Sequence, residues 1–153
     1  MAAVNRLLCM DTFESCDFMT LFLMIIDSNK RELRWVRAGH DPAMVYDPSS
    51  GSVHELNGRG SVLGIDVDWK FQECKKSGWS EGQIIVIGTD GIWETENLHS
   101  ENFGKFRLRQ IIRQYSQFSA QEILNAITNA LEAFRGTAPQ NDDVTLVVAR
   151  AIS

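Results

Sequence analysis

The amino-acid sequence predicts a single-domain α+β fold, and three patterns indicate it. Short apolar or alternating segments separated by turn residues fill the first half of the chain, as in an antiparallel sheet. Apolar residues then recur at helical spacing, and a last apolar segment closes the chain. Strands followed by helices are typical of a sheet that helices cover on one face.

Two hairpins are expected at the start of this order. The first joins FMTLFLMIID (18–27) to RELRWVRA (31–38) through Ser-Asn-Lys, and the second joins PAMVYD (42–47) to SVHEL (52–56) through Pro-Ser-Ser-Gly. Both connections are rich in residues that favour turns. The Met-rich part of the first strand, FMTLFLM, is expected to belong to the core.

Three further strands follow. The segment WKFQEC (69–74) alternates apolar and polar residues, which predicts a strand with one buried face. QIIVIGTD (83–90) is apolar on both faces, so it is expected to be central and covered on both sides. VTLVVARA (144–151) is predicted to be the closing strand.

Two helices are predicted between the last two strands. The first is indicated by an apolar repeat around Leu108 and Ile112. The second is expected to begin at a capping box, with Ser119 at the N-cap and Glu122 three residues later, and to end at Gly136. The opening segment MAAVNRLL reads as a helix without a cap residue, which predicts a fragment of a longer chain.

Composition excludes several classes of function. The chain has 153 residues and a net charge of −5, which disfavours nucleic-acid binding because that needs a basic face. The longest apolar run, 18–26, is far shorter than the ~20 residues of a membrane-spanning helix. Cys9, Cys16 and Cys74 match no zinc or redox spacing, so they are expected to be reduced packing residues of a cytoplasmic protein.

The chemistry is expected where acidic residues flank two apolar strands. Asp90 follows the strand in IIVIGTDGIWE (84–94), and Asp142 and Asp143 directly precede the closing strand. If these strands are antiparallel neighbours, the acids meet at one sheet edge. Carboxylates close together repel unless a cation neutralises them, and magnesium or manganese prefers such oxygen ligands. Gly91 is expected to let the backbone turn and approach an ion or phosphate.

A purely structural interpretation of the same residues stays open. Asp-Gly is a common turn after a strand, and Asp-Asp is a common cap before one. His40, in the sequence Ala-Gly-His, is a candidate base, metal ligand or phosphate partner, but a histidine at a strand end is more often a structural hydrogen-bonding group.

The order of several motifs resembles a known family. The segment from MTLFLMIID to RAGHDPAMVYDPSSGSVHEL is followed by GSVLGI (60–65), GQIIVIGTDGIWE (82–94), FGKFRL (103–108) and NDDVTLVVAR (141–150). This series resembles the bacterial stage II sporulation E-type phosphatases, regulators of sigma factors within the metal-dependent phosphatase 2C superfamily. The resemblance runs from about residue 5 to residue 151.

The resemblance implies a β-sandwich flanked by helices, with a pair of Mn²⁺ or Mg²⁺ ions at one end. The aspartate of the family's Thr-Asp-Gly motif falls on Asp90, and the closing acidic pair falls on Asp142 and Asp143, so these are the implied metal ligands and catalytic residues. Glu94 stands where an accessory ligand occurs. His40 stands where the eukaryotic branch has an acid. The implied reaction is hydrolysis of phosphoserine or phosphothreonine on a protein by a metal-activated water.

The family's first metal motif, an acid beside Gly-Gly and a following Asp, has no match before Thr20. We therefore expect a domain that lacks its N-terminal strands and one principal ligand, with upstream sensor or receiver domains in the full-length chain. The implied substrate is a phosphorylated protein of the anti-sigma-factor antagonist type. The alternative is a non-catalytic module of the same fold that binds a phosphoprotein or a partner-switch protein.

Overall fold

A computed structural model of the chain describes residues 1–15 and 17–152, so the prediction made for Cys16 lies outside the described residues. The chain forms two compact units. The first unit contains Met1–Pro42 and Leu56–Trp79, and the second contains Ala43–Glu55 and the chain from Ser80 onward. In chain order the elements are α1 (Ala2–Asp11), β1 (Leu21–Asp27), β2 (Glu32–Ala38), β3 (Ala43–Asp47), β4 (Ser52–Leu56), β5 (Glu73–Ser77), β6 (Ile84–Gly88), α2 (Gly104–Gln114), α3 (Ala120–Arg135) and β7 (Leu146–Arg150).

The first unit contains α1 and an antiparallel sheet in the order β1-β2-β5. The predicted first hairpin is confirmed, because β1 and β2 pair from Leu21 with Ala38 to Asp27 with Glu32. Helix α1 begins without a side-chain cap, as its sequence indicates. Among the described residues, no helix combines the length and the apolar character that crossing a membrane requires.

The expectation that FMTLFLM belongs to the core is wrong. Strand β1 lies at the edge of its sheet, beside β2 alone among the strands of the described residues, and none of its residues is fully buried. Leu23 and Ile25 are each close to half exposed, and Phe18 is more exposed still. Apolar composition predicted burial here, but an edge strand has neighbours on one side only.

The strand predicted at 69–74 also begins later, at Glu73, and continues to Ser77. Its ladder with β2 ends where Val36 pairs with Glu73. Next along β2, Arg37 donates hydrogen bonds to the carbonyl groups of His40 and Gly58. Arg37 thus contacts the segment around Gly58, and β5 pairs with β2 only from Val36 back to Glu32.

The second unit contains a four-stranded antiparallel sheet in the order β4-β3-β6-β7, with α2 and α3 packed on each other and α3 against β7. The second predicted hairpin is confirmed by the neighbouring positions of β3 and β4. Strand β6 is central, and Ile84, Ile85 and Val86 are buried, as predicted. Both helices contribute to the core of this unit, whose buried members are Met44, Tyr46, Ile84, Val86, Ile92, Phe103, Leu108, Ile112, Ile123, Ile127 and Leu131.

The predicted capping box of α3 is confirmed. The backbone N–H of Ser119 donates to the Glu122 carboxylate at 2.9 Å, the Ser119 hydroxyl donates to it at 2.7 Å, and the Glu122 N–H donates back to that hydroxyl. Gly136 ends the helix with φ of 58°, a conformation that favours glycine. Helix α3 is therefore fixed at both ends by residues that the sequence identifies.

We expect acidification to weaken this cap. The Ser119 side-chain hydrogen bond, followed by the Ser119 backbone hydrogen bond, lowers the pKa of Glu122 below its ordinary value. A lowered pKa adds stability above the unfolded-state pKa, and that stability is lost as the pH falls through the folded-state pKa. Urea midpoints of unfolding should be measured from about pH 7 to about pH 3. The difference in midpoint between wild type and Glu122→Gln should become smaller as the pH falls.

The matched control for this prediction is Glu132→Gln, which makes the same change at an exposed position of α3. The difference in urea midpoint between Glu132→Gln and the wild type should vary less with pH than the difference for Glu122→Gln. A Glu122→Gln gap that stays constant over the whole pH range contradicts the prediction.

Candidate active site

The register of β6 and β7 brings the predicted acidic residues to the same sheet edge. The two strands are antiparallel, and their ladder ends where Gly88 pairs with Leu146. Asp90 lies two residues beyond the end of β6, and Asp142 and Asp143 precede β7. All three are exposed. We call Asp90, Asp142 and Asp143 the acidic edge.

The backbone around Asp90 is held by a compact turn. The N–H of Ile92 donates to the carbonyl of Thr89 at 3.1 Å, and the N–H of Glu94 donates to the carbonyl of Asp90 at 2.9 Å. The Thr95 hydroxyl donates to the carbonyl of Gly91 at 2.5 Å. Ile92 is fully buried, whereas Asp90 and Glu94 are exposed. The turn is thus anchored in the core and presents both carboxylates to solvent.

Gly91 is needed for space. A Cβ atom at this position would collide with the backbone carbonyl oxygen of Asp143. Gly91 is not among the glycines with positive φ, so close approach of the two loops is the reason for glycine here. The sequence predicts that Gly91 allows a sharp turn and a close approach to an ion or phosphate. In the structure, Gly91 instead approaches the backbone of Asp143 in the loop before β7.

The loop before β7 has its own local hydrogen bonds. The carboxylate of Asp142 accepts a hydrogen bond from the N–H of Asp143 at 2.7 Å. The carbonyl of Asp142 accepts another from the Gln140 side chain at 2.9 Å. These contacts leave carboxylate oxygens of both aspartates available to bind another group.

The chemistry of the acidic edge suits a hard cation. None of its carboxylates forms an ion pair with Lys or Arg within the described residues, in contrast to Glu55, which Arg109 contacts at 2.6 Å. In those same residues, no group of three or more His, Cys, Asp or Glu side chains is arranged to hold a metal. Magnesium, however, keeps several waters and commonly uses only one or two protein carboxylates. The donors therefore fit such an ion in kind.

A polar cavity adjoins the acidic edge. Its volume is about 360 Å³, and it opens beside Asp142 and the turn that follows Asp90. It lies within the second unit. The residues that line it are Gly91, Glu94, Thr95, Glu96, Asn102, Pro139, Gln140, Asn141 and Asp142.

His40 lies in the first unit. Its Nδ1 atom is 2.8 Å from the carbonyl of Asp41, and its ring lies 6.3 Å from that of Phe22 between centroids. One ring nitrogen is therefore engaged by the adjacent backbone, in keeping with a hydrogen-bonding role. A role for His40 as an accessory site residue stays a prediction.

Sequence reasoning missed Thr89 and Thr145. The Thr89 hydroxyl donates to the carbonyl of Asp143 at 3.0 Å and accepts from the N–H of Thr145 at 3.0 Å. Thr89 is the first residue of the Thr-Asp-Gly motif, but the sequence alone gives its hydroxyl no partner, and Thr145 carries no signal because threonine is common in strands. Only the pairing of β6 with β7 shows that these residues connect the two acidic loops.

The chain belongs to the stage II sporulation protein E (SpoIIE) family, whose model matches residues 1–152. Among curated relatives, the phosphoserine phosphatase RsbU of Bacillus subtilis is 30% identical over 135 residues, which are 87% of this chain and 39% of RsbU. Protein IcfG of Synechocystis is 30% identical over 131 residues, which are 85% of this chain and 20% of that protein. The chain thus spans well under half the length of these relatives.

Solved structures confirm the fold class. The SiaA-PP2C domain of Pseudomonas aeruginosa matches with a TM-score of 0.75 and 23% identity, over 87% of this chain and 52% of the domain. The phosphatase domain of SpoIIE from Bacillus subtilis, from a crystal presoaked with Mn, matches with a TM-score of 0.66 and 21% identity, over 92% of this chain and 58% of that one. The α+β, phosphatase 2C-like prediction is therefore correct, with two antiparallel sheets and helices.

Proposed function

We propose that this chain carries catalytic residues of a metal-dependent protein phosphatase that hydrolyses phosphoserine or phosphothreonine on a regulatory protein. The observation that carries the proposal is the acidic edge, where the pairing of β6 with β7 places aspartates of two distant loops at the same end of the sheet and none of them is ion-paired with Lys or Arg among the described residues. Membership of the SpoIIE family and similarity to the phosphoserine phosphatase RsbU support it.

Each residue of the site has a defined role in this proposal. Asp90 and Asp142 bind the cation, Mn²⁺ or Mg²⁺, and Asp143 is a neighbouring ligand. Glu94 lies one turn beyond Asp90 and is an accessory acid. When bound, the cation acidifies a water molecule and offsets charge on the phosphoryl oxygens. The carboxylates contribute position and charge and are not the nucleophile.

The fixed backbone explains how such a site is prepared before it binds an ion. The hydrogen bond from the N–H of Glu94 holds the backbone carbonyl of Asp90, and the close approach of Gly91 to the Asp143 carbonyl limits the separation of the two loops. Preorganised ligands bind more tightly because less conformational freedom is lost on binding. In this proposal the adjoining polar cavity of about 360 Å³ receives residues of the protein substrate beside its phosphoserine.

The proposed partner is a phosphorylated protein of the anti-sigma-factor antagonist type. Sensor or receiver domains of a full-length protein are the proposed regulators. Both follow from the family resemblance and from relatives that are longer than this chain.

The test of the proposed function is phosphate release from a phosphoserine peptide in the presence of Mn²⁺. Release that requires the metal and stops when a chelator is added is expected. The chain should be assayed both alone and within the longest natural polypeptide that contains it. Absence of metal-dependent release from both forms contradicts the proposal.

One observation favours a second candidate, a non-catalytic module of the same fold that binds a phosphoprotein or a partner-switch protein. The described residues hold no arrangement of three or more metal-binding side chains. A module of this kind would bind a phosphoserine peptide with an affinity that Mn²⁺ does not change, and it would release no phosphate. Fluorescence anisotropy of a labelled peptide, with and without Mn²⁺, distinguishes the two candidates.

A further inference from the structure

We propose that Thr89 is a positioning residue, whose hydroxyl group joins the two loops of the acidic edge and thereby sets their affinity for a divalent cation. This inference rests on the proposed function. In that proposal Thr89 contacts neither the ion nor the substrate. The inference follows from the hydrogen bonds at the end of β6, where the Thr89 hydroxyl accepts a bond in place of the Thr89 carbonyl.

The hydroxyl of Thr89 replaces a backbone carbonyl in the ladder between β6 and β7. The N–H of Thr89 donates to the carbonyl of Thr145 at 3.1 Å, as expected one step beyond the last paired residues. The carbonyl of Thr89 accepts from the N–H of Ile92, in the turn that carries Asp90. The N–H of Thr145 donates instead to the Thr89 hydroxyl at 3.0 Å.

The same hydroxyl then connects to the other acidic loop. It donates its own hydrogen to the carbonyl of Asp143 at 3.0 Å, so it acts at once as acceptor and donor. The carbonyl of Asp143 also lies against Gly91. The side chain of Thr89, the residue before Asp90, is therefore hydrogen-bonded to the backbone of the opposite acidic loop.

This link matters because an ion shared by Asp90 and the opposite acidic pair needs the two loops at one separation. The loops approach each other at Gly91 and Asp143, and the Thr89 hydroxyl is hydrogen-bonded across the same approach. The hydroxyl keeps the two loops at a fixed separation before the ion binds. Loss of a partner that orients metal ligands typically lowers metal affinity by roughly 10- to 100-fold.

The variant that tests this role is Thr89→Val, which keeps the branched shape and removes the hydroxyl. We expect Mn²⁺ to bind about 10-fold more weakly, as measured by electron paramagnetic resonance of free Mn²⁺, a method that needs no turnover. Thr89→Ser restores both hydrogen bonds and should bind Mn²⁺ close to the wild-type affinity. Rescue by serine separates a role of the hydroxyl from a role of side-chain packing.

The matched control is Thr128→Val, which removes a hydroxyl that donates to the backbone of α3 at Leu124 and Asn125. Its Mn²⁺ affinity should equal that of the wild type. If Thr89→Val and Thr128→Val weaken binding equally, or if Thr89→Val binds as the wild type does, the positioning role is overturned.

Asp90→Asn separates this inference from the proposed function. If Asp90→Asn loses Mn²⁺ binding and Thr89→Val keeps it, the proposed metal site stands and the role of Thr89 is wrong. If the wild type does not bind Mn²⁺, or if Asp90→Asn binds as the wild type does, the metal site and the role of Thr89 both fail.

A measurement on the wild type covers the case in which Thr89→Val does not fold. Coupling between two equilibria is reciprocal, so an ion that is helped by the Thr89 link must in turn stabilise that link. Hydrogen exchange of the Thr145 amide should therefore slow when Mg²⁺ is added. An exchange rate at Thr145 that Mg²⁺ leaves unchanged contradicts the inference.

Discussion

Replacing Asp90 by Asn is expected to lower Mn²⁺-dependent phosphate release by about 100-fold or more. The substitution keeps the shape of the side chain and removes the negative charge that binds the cation. Partners that only orient a metal ligand already contribute roughly 10- to 100-fold, so a ligand itself should contribute at least the upper end of that range. Mn²⁺ binding should weaken in parallel with activity.

The structure explains why this effect should be specific. The carbonyl and N–H groups around Asp90 are held by the turn to Glu94, and these backbone contacts do not depend on the carboxylate. The variant should therefore unfold at nearly the same urea concentration as the wild type. Asp68→Asn makes the same change of charge at an exposed position of the first unit and is the control.

Phosphate release that persists undiminished in Asp90→Asn would falsify the metal role of this residue. Equal losses in Asp90→Asn and Asp68→Asn would instead indicate a general effect of net charge. The assay should be made in the form of the protein in which the wild type is active.

Phe103→Ala is expected to give the largest loss of stability, about 3–5 kcal/mol. Phe103 is 2% exposed and packs edge-on against Phe134, with ring centroids 5.4 Å apart. It also precedes α2, and its N–H donates to the carbonyl of Thr95. The truncation leaves a cavity in the core of the second unit.

The chain provides a closely matched control for this prediction. Phe106 lies three residues later on α2 and is 70% exposed, so Phe106→Ala should change the free energy of unfolding by no more than about 0.5 kcal/mol. Urea unfolding followed by far-UV circular dichroism reports on the unit that contains α2 and α3. Similar midpoints for the two variants contradict the burial described for Phe103.

Local sequence predicted most of the secondary structure correctly. The capping box of Ser119 and Glu122 placed the start of α3, and Gly136 placed its end, because caps satisfy hydrogen bonds between residues close in the chain. Apolar runs identified β6 as central. The two errors, the buried character of β1 and the start of β5, concern which strand has a partner, and local composition does not determine that.

For the candidate site too, local sequence predicted some features and strand pairing determined the others. The sequence by itself determined that Asp90, Asp142 and Asp143 flank strands, since residue type and position along the chain are sufficient for that. Only the tertiary structure decided that these strands pair with Gly88 opposite Leu146, and that the Thr89 hydroxyl bridges the two loops. Pairing joins segments more than fifty residues apart, so it depends on the packing of the whole sheet, while caps and turns depend on a few neighbours.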